Sequence, residues 1–254
     1  MDKMEPVRLS PSRINDYQQC PALYNYRVIQ KLPEPLSLDA IRGTLVHKVL
    51  EELLARPILD RNPIVAKESV FGYWADLKNE NPELETLVTD ETEWFNRIYA
   101  LLDNYFLLEN PQSFEPTHME AHLALEPSEN MQLHCYVDRI DIAPTGEVRI
   151  VDYKTGKSPR PGYEDKVLFQ LRFYALLWYR LHESLPKLLQ VHFLGDQKSI
   201  KNSPSLSELE VTEKKSLQVG KEILISIEKD YWPTQTSRLC DWCSFKKICP
   251  AFTK

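Results

Sequence analysis

The sequence predicts an α/β fold whose sheet is built from residues 118–195 and flanked by helices from both ends of the chain. Three observations carry this expectation. Segments 118–125, 131–142 and 147–154 alternate apolar and polar residues as strands do. Pro144-Thr145-Gly146 supplies a turn between the second and third. Segments with apolar residues at helical spacing lie before and after them.

Residues 10–30 read as a short helix opened by Ser10, with Pro11 at its first position. Its run Arg13-Ile14-Asn15-Asp16-Tyr17 leads to Cys20-Pro21. Residues 39–55 form a second helix, with Leu45, Val49 and Leu53 four apart. Residues 64–110 are helical, with breaks at Asn81-Pro82 and Asn110-Pro111, and rich in Trp, Tyr and Phe. The stretch 56–115 therefore reads as a helical insertion on one side of the core. After the three strands come a helix over 166–182, a short strand over 190–194 and a long helix over 213–229. Residues 231–254 carry Pro233, Pro250 and three cysteines, and read as irregular. No internal repeat or low-complexity tract is present.

At 254 residues the chain suits one domain spanning 1–254. Its 43% hydrophobic and 27% charged residues are ordinary for a soluble globular protein. No run approaches the ~20 apolar residues of a membrane span, and Met1-Asp2-Lys3-Met4-Glu5 lacks the apolar core of a signal peptide. The expectation is a cytoplasmic protein with no membrane contact. A net charge of −6 argues against nonspecific coating of nucleic acid. It leaves room for basic residues along one groove and acidic residues at metals. Five cysteines are too few for a disulfide scaffold, and their odd number leaves at least one unpaired.

The most informative stretch is Val148-Arg149-Ile150-Val151-Asp152-Tyr153-Lys154-Thr155-Gly156. Apolar residues on both faces mark a central buried strand. Asp152 and Lys154, two apart, share a face at its end. A buried strand should not end in an acid and a lysine unless they pair or bind something. If the two strands pair around Gly146, Asp138 of Tyr136-Val137-Asp138-Arg139-Ile140-Asp141 approaches Asp152. Two carboxylates so placed suit a divalent cation such as magnesium. A cation there eases deprotonation of water and stabilises charge on a phosphate, and Lys154 is placed to orient the water or neutralise the transition state. The alternative is an exposed hairpin in which Asp138 and Asp152 merely pair with Arg139 and Lys154. Asp141 falls on the opposite face and reads as structural or capping.

Asp138 followed by Val-Asp152-Tyr-Lys154-Thr-Gly resembles the signature of PD-(D/E)xK nucleases, in particular the RecB-like branch. That branch carries a Gly-Thr-x-x-His motif on an early helix, matched by Gly43-Thr44-Leu45-Val46-His47. Its Gln-x-x-x-Tyr helix after the lysine is matched by Gln170-Leu171-Arg172-Phe173-Tyr174. Order and approximate spacing agree from Ser10 to Cys249. The resemblance implies a restriction-endonuclease-like core with a central mixed β-sheet flanked by helices. It implies His47, Asp138, Asp152 and the Tyr153 backbone carbonyl as ligands of Mg2+ or Mn2+, with imidazole suiting manganese better. Lys154 would be catalytic, and Gln170 and Tyr174, one helical turn apart, would reach the site or the DNA. Glu120, at the start of the first strand, is a candidate ligand for a second metal. Outside the family pattern His47 reads as an ordinary core or surface residue and Tyr174 as core packing. Where the family has glycine three residues before Asp138, this chain has Cys135, which makes the strand bulkier and removes no catalytic group.

Cys240-Asp241-Trp242-Cys243 and Cys249-Pro250, with Cys20-Pro21 upstream, total four cysteines. Cys135 is left inside a strand as a small apolar residue. In a cytosolic chain such a set points to metal rather than disulfide, either structural zinc or an iron–sulfur cluster. Cys20 lacks the second C-x2-C knuckle of a zinc ribbon. The one-plus-three arrangement is similar to the [4Fe-4S] clasp of RecB-like nucleases, including AddB-type subunits, exonuclease V and CRISPR adaptation nucleases. Such a clasp closes almost the whole chain into a loop and stabilises the fold. Arg238, Trp242, Phe245, Lys246 and Lys247 beside it either contact single-stranded DNA or pack over the cluster.

The function these features imply is metal-dependent DNA hydrolysis, as an exonuclease on single strands or DNA ends in repair or recombination. A CRISPR adaptation nuclease that trims DNA before spacer integration has the same motifs. A cluster-bearing DNA-binding module without catalysis is the alternative of another class, and the intact Asp138, Asp152 and Lys154 argue against it. No G-x-x-x-x-G-K motif is present, so a helicase motor or adaptation protein would be a separate partner.

Overall fold

A computed structural model of the chain describes residues 5–253; the reading of the extreme N-terminus falls on residues 1–4, outside them. Ser10 accepts from the Arg13 N–H and Pro11 opens α1 (Pro11–Gln19). The single helix expected over 10–30 does not run through. Cys20 is extended because proline disfavours helical backbone in the residue before it. Two short pieces follow, α2 (Pro21–Tyr24) and a π-turn over Asn25–Ile29. Next come α3 (Leu38–Ala55), α4 (Pro63–Glu80), α5 (Leu84–Leu87) and α6 (Glu91–Leu108), with Ser37, Asn62 and Asp90 capping the three long ones.

The sheet contains β1 (Val7–Leu9), β2 (His118–Ser128), β3 (Met131–Ile142), β4 (Val148–Lys154), β5 (Leu188–Phe193) and β6 (Lys198–Asn202). Its main path is β1-β3-β4-β5-β6, with β2 also on β3. The β1–β3 and β4–β5 pairs are parallel and the others antiparallel, so the sheet is mixed. The parallel step from β4 to β5 requires a crossover, which α7 (Asp165–His182) provides. α8 (Leu206–Lys229) begins well before residue 213, because Ser205 and Glu208 form a capping box. β1 and β6 are additions to the expected strands. β1 has three residues, and β6 (Lys-Ser-Ile-Lys-Asn) has one apolar residue and no alternation to reveal it.

The edges of β3 decide where the molecule opens. β2 pairs along one edge from Met131 to Ile140. The other edge is shared: β1 takes Met131 to Leu133 and β4 takes Arg139 to Ile142. Residues 134–138 are left between the two. The sheet is covered on both sides. α1, α7 and α8 pack with Leu133, Cys135, Ile150 and Val191 in one core. α3, α4 and α6 pack with Val151, Tyr153 and Leu194 in the other. The helices of the 56–115 stretch thus form the second layer. Buried Arg61 ties that stretch's two ends together, reaching the Arg56, Pro111 and Phe114 carbonyls and the Glu115 carboxylate.

A buried ion pair joins α6 to the sheet. The Arg139 side chain is 0% exposed and donates two 2.8 Å hydrogen bonds to Glu109. It also contacts Asp141 and the Tyr153 hydroxyl. Burial works against ionised Glu109, but Arg139 and His192 outweigh it and hold its carboxyl well below the usual range.

Candidate active site

β4 is buried through Tyr153, then leaves β3 after the Arg139–Val151 pair and follows β5 as far as Lys154–Phe193. Gly195 makes this path possible, since a Cβ there would meet the Gly156 carbonyl at 2.7 Å. The two central strands therefore part where β4 carries Asp152 and Lys154. Asp138 bridges the parting. Its Oδ2 accepts the Tyr153 N–H at 2.7 Å, a bond the strand ladder no longer makes. A strand residue's N–H and C=O point to the same side, so the Tyr153 carbonyl lies on the Asp138 side of β4.

α3 brings His47 to the same place, with Nδ1 3.4 Å from Asp138 Oδ1. Glu120 falls opposite Asp138 between the Met119–Arg139 and Ala121–Val137 pairs. Its φ of +46° is left-handed, a strained conformation for a non-glycine residue inside a strand. His47, Glu120 and Asp138 offer ligand atoms within 4.8 Å of one another. Asp152, 2% exposed, is organised separately. Lys154 Nζ lies 3.1 Å from its Oδ1 and 2.8 Å from its Oδ2. From α7, Gln170 Nε2 donates to Oδ1 at 3.0 Å and the Tyr174 hydroxyl at 3.4 Å, and these two side chains touch.

The charges here conflict without a further cation. Burial and the like charge of Asp138 raise the Asp152 pKa, and Lys154 only partly offsets them. Burial and Asp138 raise the Glu120 carboxyl in the same way. Burial works against charged His47, yet Asp138 and Asp152 hold it up to about 9. Asp152 Oδ2 is buried, and among the described residues it has no hydrogen-bond partner of good geometry. The His47 imidazole and the Glu120 and Asp138 carboxylates, clustered within 4.8 Å, are a donor set that fits Mg2+ or Mn2+, and Asp152 is not among the three.

Of the residues singled out, the structure brings His47, Glu120 and Asp138 together in one cluster and gathers Lys154, Gln170 and Tyr174 around Asp152 in another, with the Tyr153 N–H on Asp138 linking the two. The exposed ion-pair hairpin does not form. Lys154 does pair with Asp152, but in the interior, and Arg139 turns away from Asp138 toward Glu109 and Asp141. Sequence reasoning missed the Arg139–Glu109 pair, whose partners are thirty residues apart on different elements. It also missed the part β1 plays in shaping the opening.

At the far end of α1, Cys20, Cys240, Cys243 and Cys249 line one pocket. None of them is in a disulfide, and the Gln235 and Ser237 N–H groups point at the Cys20 and Cys240 sulfurs at 3.4 Å each. Among the described residues no three of these sulfurs lie within 4.8 Å of one another. Phe245 is buried against Tyr26, whereas Trp242 is 78% exposed. Cys135 is buried in β3, as expected of a small apolar residue.

Two aspartates and a lysine on parted central strands, with an acidic and imidazole cluster beside them, define a class of α/β proteins built for phosphodiester chemistry. The chain belongs to the PD-(D/E)XK nuclease superfamily, which matches residues 8–250. A solved structure from Eubacterium rectale described as a "putative exonuclease" shares the fold. Its TM-score is 0.65 at 12% identity, covering 98% of this chain and 90% of that one. A second solved structure, SSO0001, covers 100% of this chain and 90% of its own at 13% identity, but its TM-score of 0.44 carries no argument. No curated protein matches the sequence significantly. No described helix is long and apolar enough to cross a membrane.

Proposed function

We propose that the protein is a DNA nuclease that uses Mg2+ or Mn2+ to hydrolyse phosphodiester bonds, acting from ends on single strands. The observation that carries this reading is the parting of β3 and β4 beside Asp138 and Asp152, with a His47–Glu120–Asp138 cluster on one side and Lys154 held on Asp152 on the other. His47, Asp138, Asp152 and the Tyr153 carbonyl would hold one metal ion, and Glu120 would serve a second. When bound, the metal supplies Lewis-acid stabilisation of charge on the phosphate. Asp152 keeps the Lys154 side chain protonated at a fixed position, where its N–H groups donate to the attacking water or a phosphoryl oxygen. Gln170 and Tyr174 fix the Asp152 carboxylate. Action from ends is supported by the name of the E. rectale protein.

The test is cleavage of end-labelled linear and circular oligonucleotides by anaerobically purified protein, in Mg2+, Mn2+ or EDTA. Linear single strands should be degraded only with metal, and circles should persist. Absence of cleavage of DNA or RNA under all conditions overturns the nuclease reading; cleavage of circles overturns action from ends. Removing one ligand with Glu120→Gln or His47→Ala should raise the Mn2+ concentration for half-maximal activity at least about tenfold, equivalent to ~1.4 kcal/mol.

For Cys20, Cys240, Cys243 and Cys249, which line one pocket, the proposed occupant is a [4Fe-4S] cluster joining the two ends of the chain. Anaerobic protein should carry about four irons per chain. Cys243→Ser should remove them and cost roughly 2–5 kcal/mol, as when a cross-link is lost. Zinc without iron in that preparation would overturn the cluster.

A further inference from the structure

The gap on the edge of β3 continues from Lys154, Gln170 and Tyr174 into a groove whose remaining lining the chemistry above does not use. It runs between β1 and β4 and is lined by Ser10, His134, Tyr136, Lys154, Gln170 and Tyr174, with Ser12 and Asn15 of α1 along one wall. At about 420 Å³ it lies within the ~300–1,000 Å³ of small-ligand sites. Its lining contains no carboxylate, in a protein with 37 acids against 31 Lys and Arg. The pocket on the α3 side of the site is different, since Glu51 and Glu120 line it.

Three features equip the groove for a particular occupant. Tyr136 is 56% exposed and stacks on His122 of β2, with ring centres 4.6 Å apart and planes at 27°. Neighbouring His134 has both ring nitrogens out of solvent, and among the described residues neither finds a partner. Burial and the nearby Arg8 and Arg13 lower its pKa to about 4, so at neutral pH it is an uncharged ring that can donate and accept. Arg8 bonds to Gln132 and Arg13 to the Arg8 carbonyl, and neither forms an ion pair with a carboxylate among the described residues. An aromatic platform, a polar ring edge and, beside the groove, two guanidinium groups without a carboxylate partner are what a single nucleic-acid strand requires.

We infer that this groove seats the nucleotides of a single strand next to the scissile phosphate, with one base on the Tyr136–His122 stack and the adjoining phosphates toward Arg8 and Arg13. The inference rests on the nuclease reading for its substrate. It assigns Tyr136 and His122 as positioning residues and makes the groove the side from which the strand approaches Lys154. A duplex cannot use the platform, because its bases are already stacked and paired, so the groove discriminates for single strands.

Binding without cleavage separates this inference from the proposed activity. The full-length protein is titrated into fluorescent single-stranded DNA in EDTA and followed by anisotropy. Tyr136→Ala should weaken binding about fivefold or more, the lower end of what one base–aromatic stack contributes. Tyr136→Phe should retain wild-type affinity. Replacing one base by an abasic residue at a fixed distance from the end should cost wild-type protein a similar factor, and that loss should vanish in Tyr136→Ala. A purely structural role for Tyr136 would leave the abasic penalty in place. Arg8→Ala and Arg13→Ala should each reduce the slope of log affinity against log salt by about 0.7. Unchanged affinity in Tyr136→Ala, or an abasic penalty that persists there, overturns the groove assignment even if the protein cleaves DNA. Wild-type protein that shows the stacking signature but cleaves nothing in metal would instead sink the nuclease reading.

Discussion

Asp152→Asn is expected to lower the single-turnover rate of DNA cleavage by at least about a thousandfold, corresponding to ~4 kcal/mol of transition-state stabilisation. The effect is large because Asp152 serves both the metal site and Lys154. Its carboxylate is the one group in contact with Lys154, Gln170 and Tyr174 at once. Asparagine can still accept from Gln170, so the fold should persist, with circular dichroism checking that it does. Lys154→Gln should lose activity to a comparable degree, and the double variant should be little worse than either alone, because residues acting as a unit are not additive. Wild-type rates in Asp152→Asn would end the assignment of this opening as the reaction site.

Arg139→Ala should produce the largest loss of stability, roughly 3–5 kcal/mol, because it leaves Glu109 charged and buried without its partner. For a chain of this size that lowers the melting temperature by on the order of 10 °C. Chemical denaturation at neutral pH measures it directly. Acid pH gives a second test. The folded-state pKa of Glu109 lies below its ordinary value of 4.5. Its contribution is therefore fully present above that value and is lost as pH falls toward the depressed one. Wild-type protein should lose stability between these limits more steeply than Glu109→Gln. Equal acid sensitivity of the two proteins would show that the pair does not govern this region.

The elements whose signals are local were legible. Ser10 and Pro11 mark the start of α1, Pro144-Thr145-Gly146 marks the β3–β4 turn, and alternation along residues 131–142 gives β3 with its observed bounds. Asp152 and Lys154 could be placed together because two-residue spacing on a strand is geometry, not packing. Gln170 and Tyr174 could be paired because four residues make about one helical turn. Elements without such signals were not legible. β6 has no apolar face; the start of α8 was marked by the Ser205-x-x-Glu208 capping-box pattern, but the weakly apolar turns after it did not draw the helix back from residue 213.

Which residue types the site contains, and on which elements they sit, was written in the sequence. The shape of the site was decided by contacts between distant segments. β1 pairs with only three residues of β3, and β4 joins that same edge only from Arg139 onward, so an opening is left between them. Glu120 meets Asp138 and His47 because β2 lies on the other edge of β3 and α3 packs over the sheet. Arg139 looked like a partner for Asp138 and instead turns to Glu109, since an arginine out of water must find its carboxylate wherever packing delivers one. Local spacing is carried along the chain, whereas strand pairing and burial are settled by the lowest free energy of the whole fold.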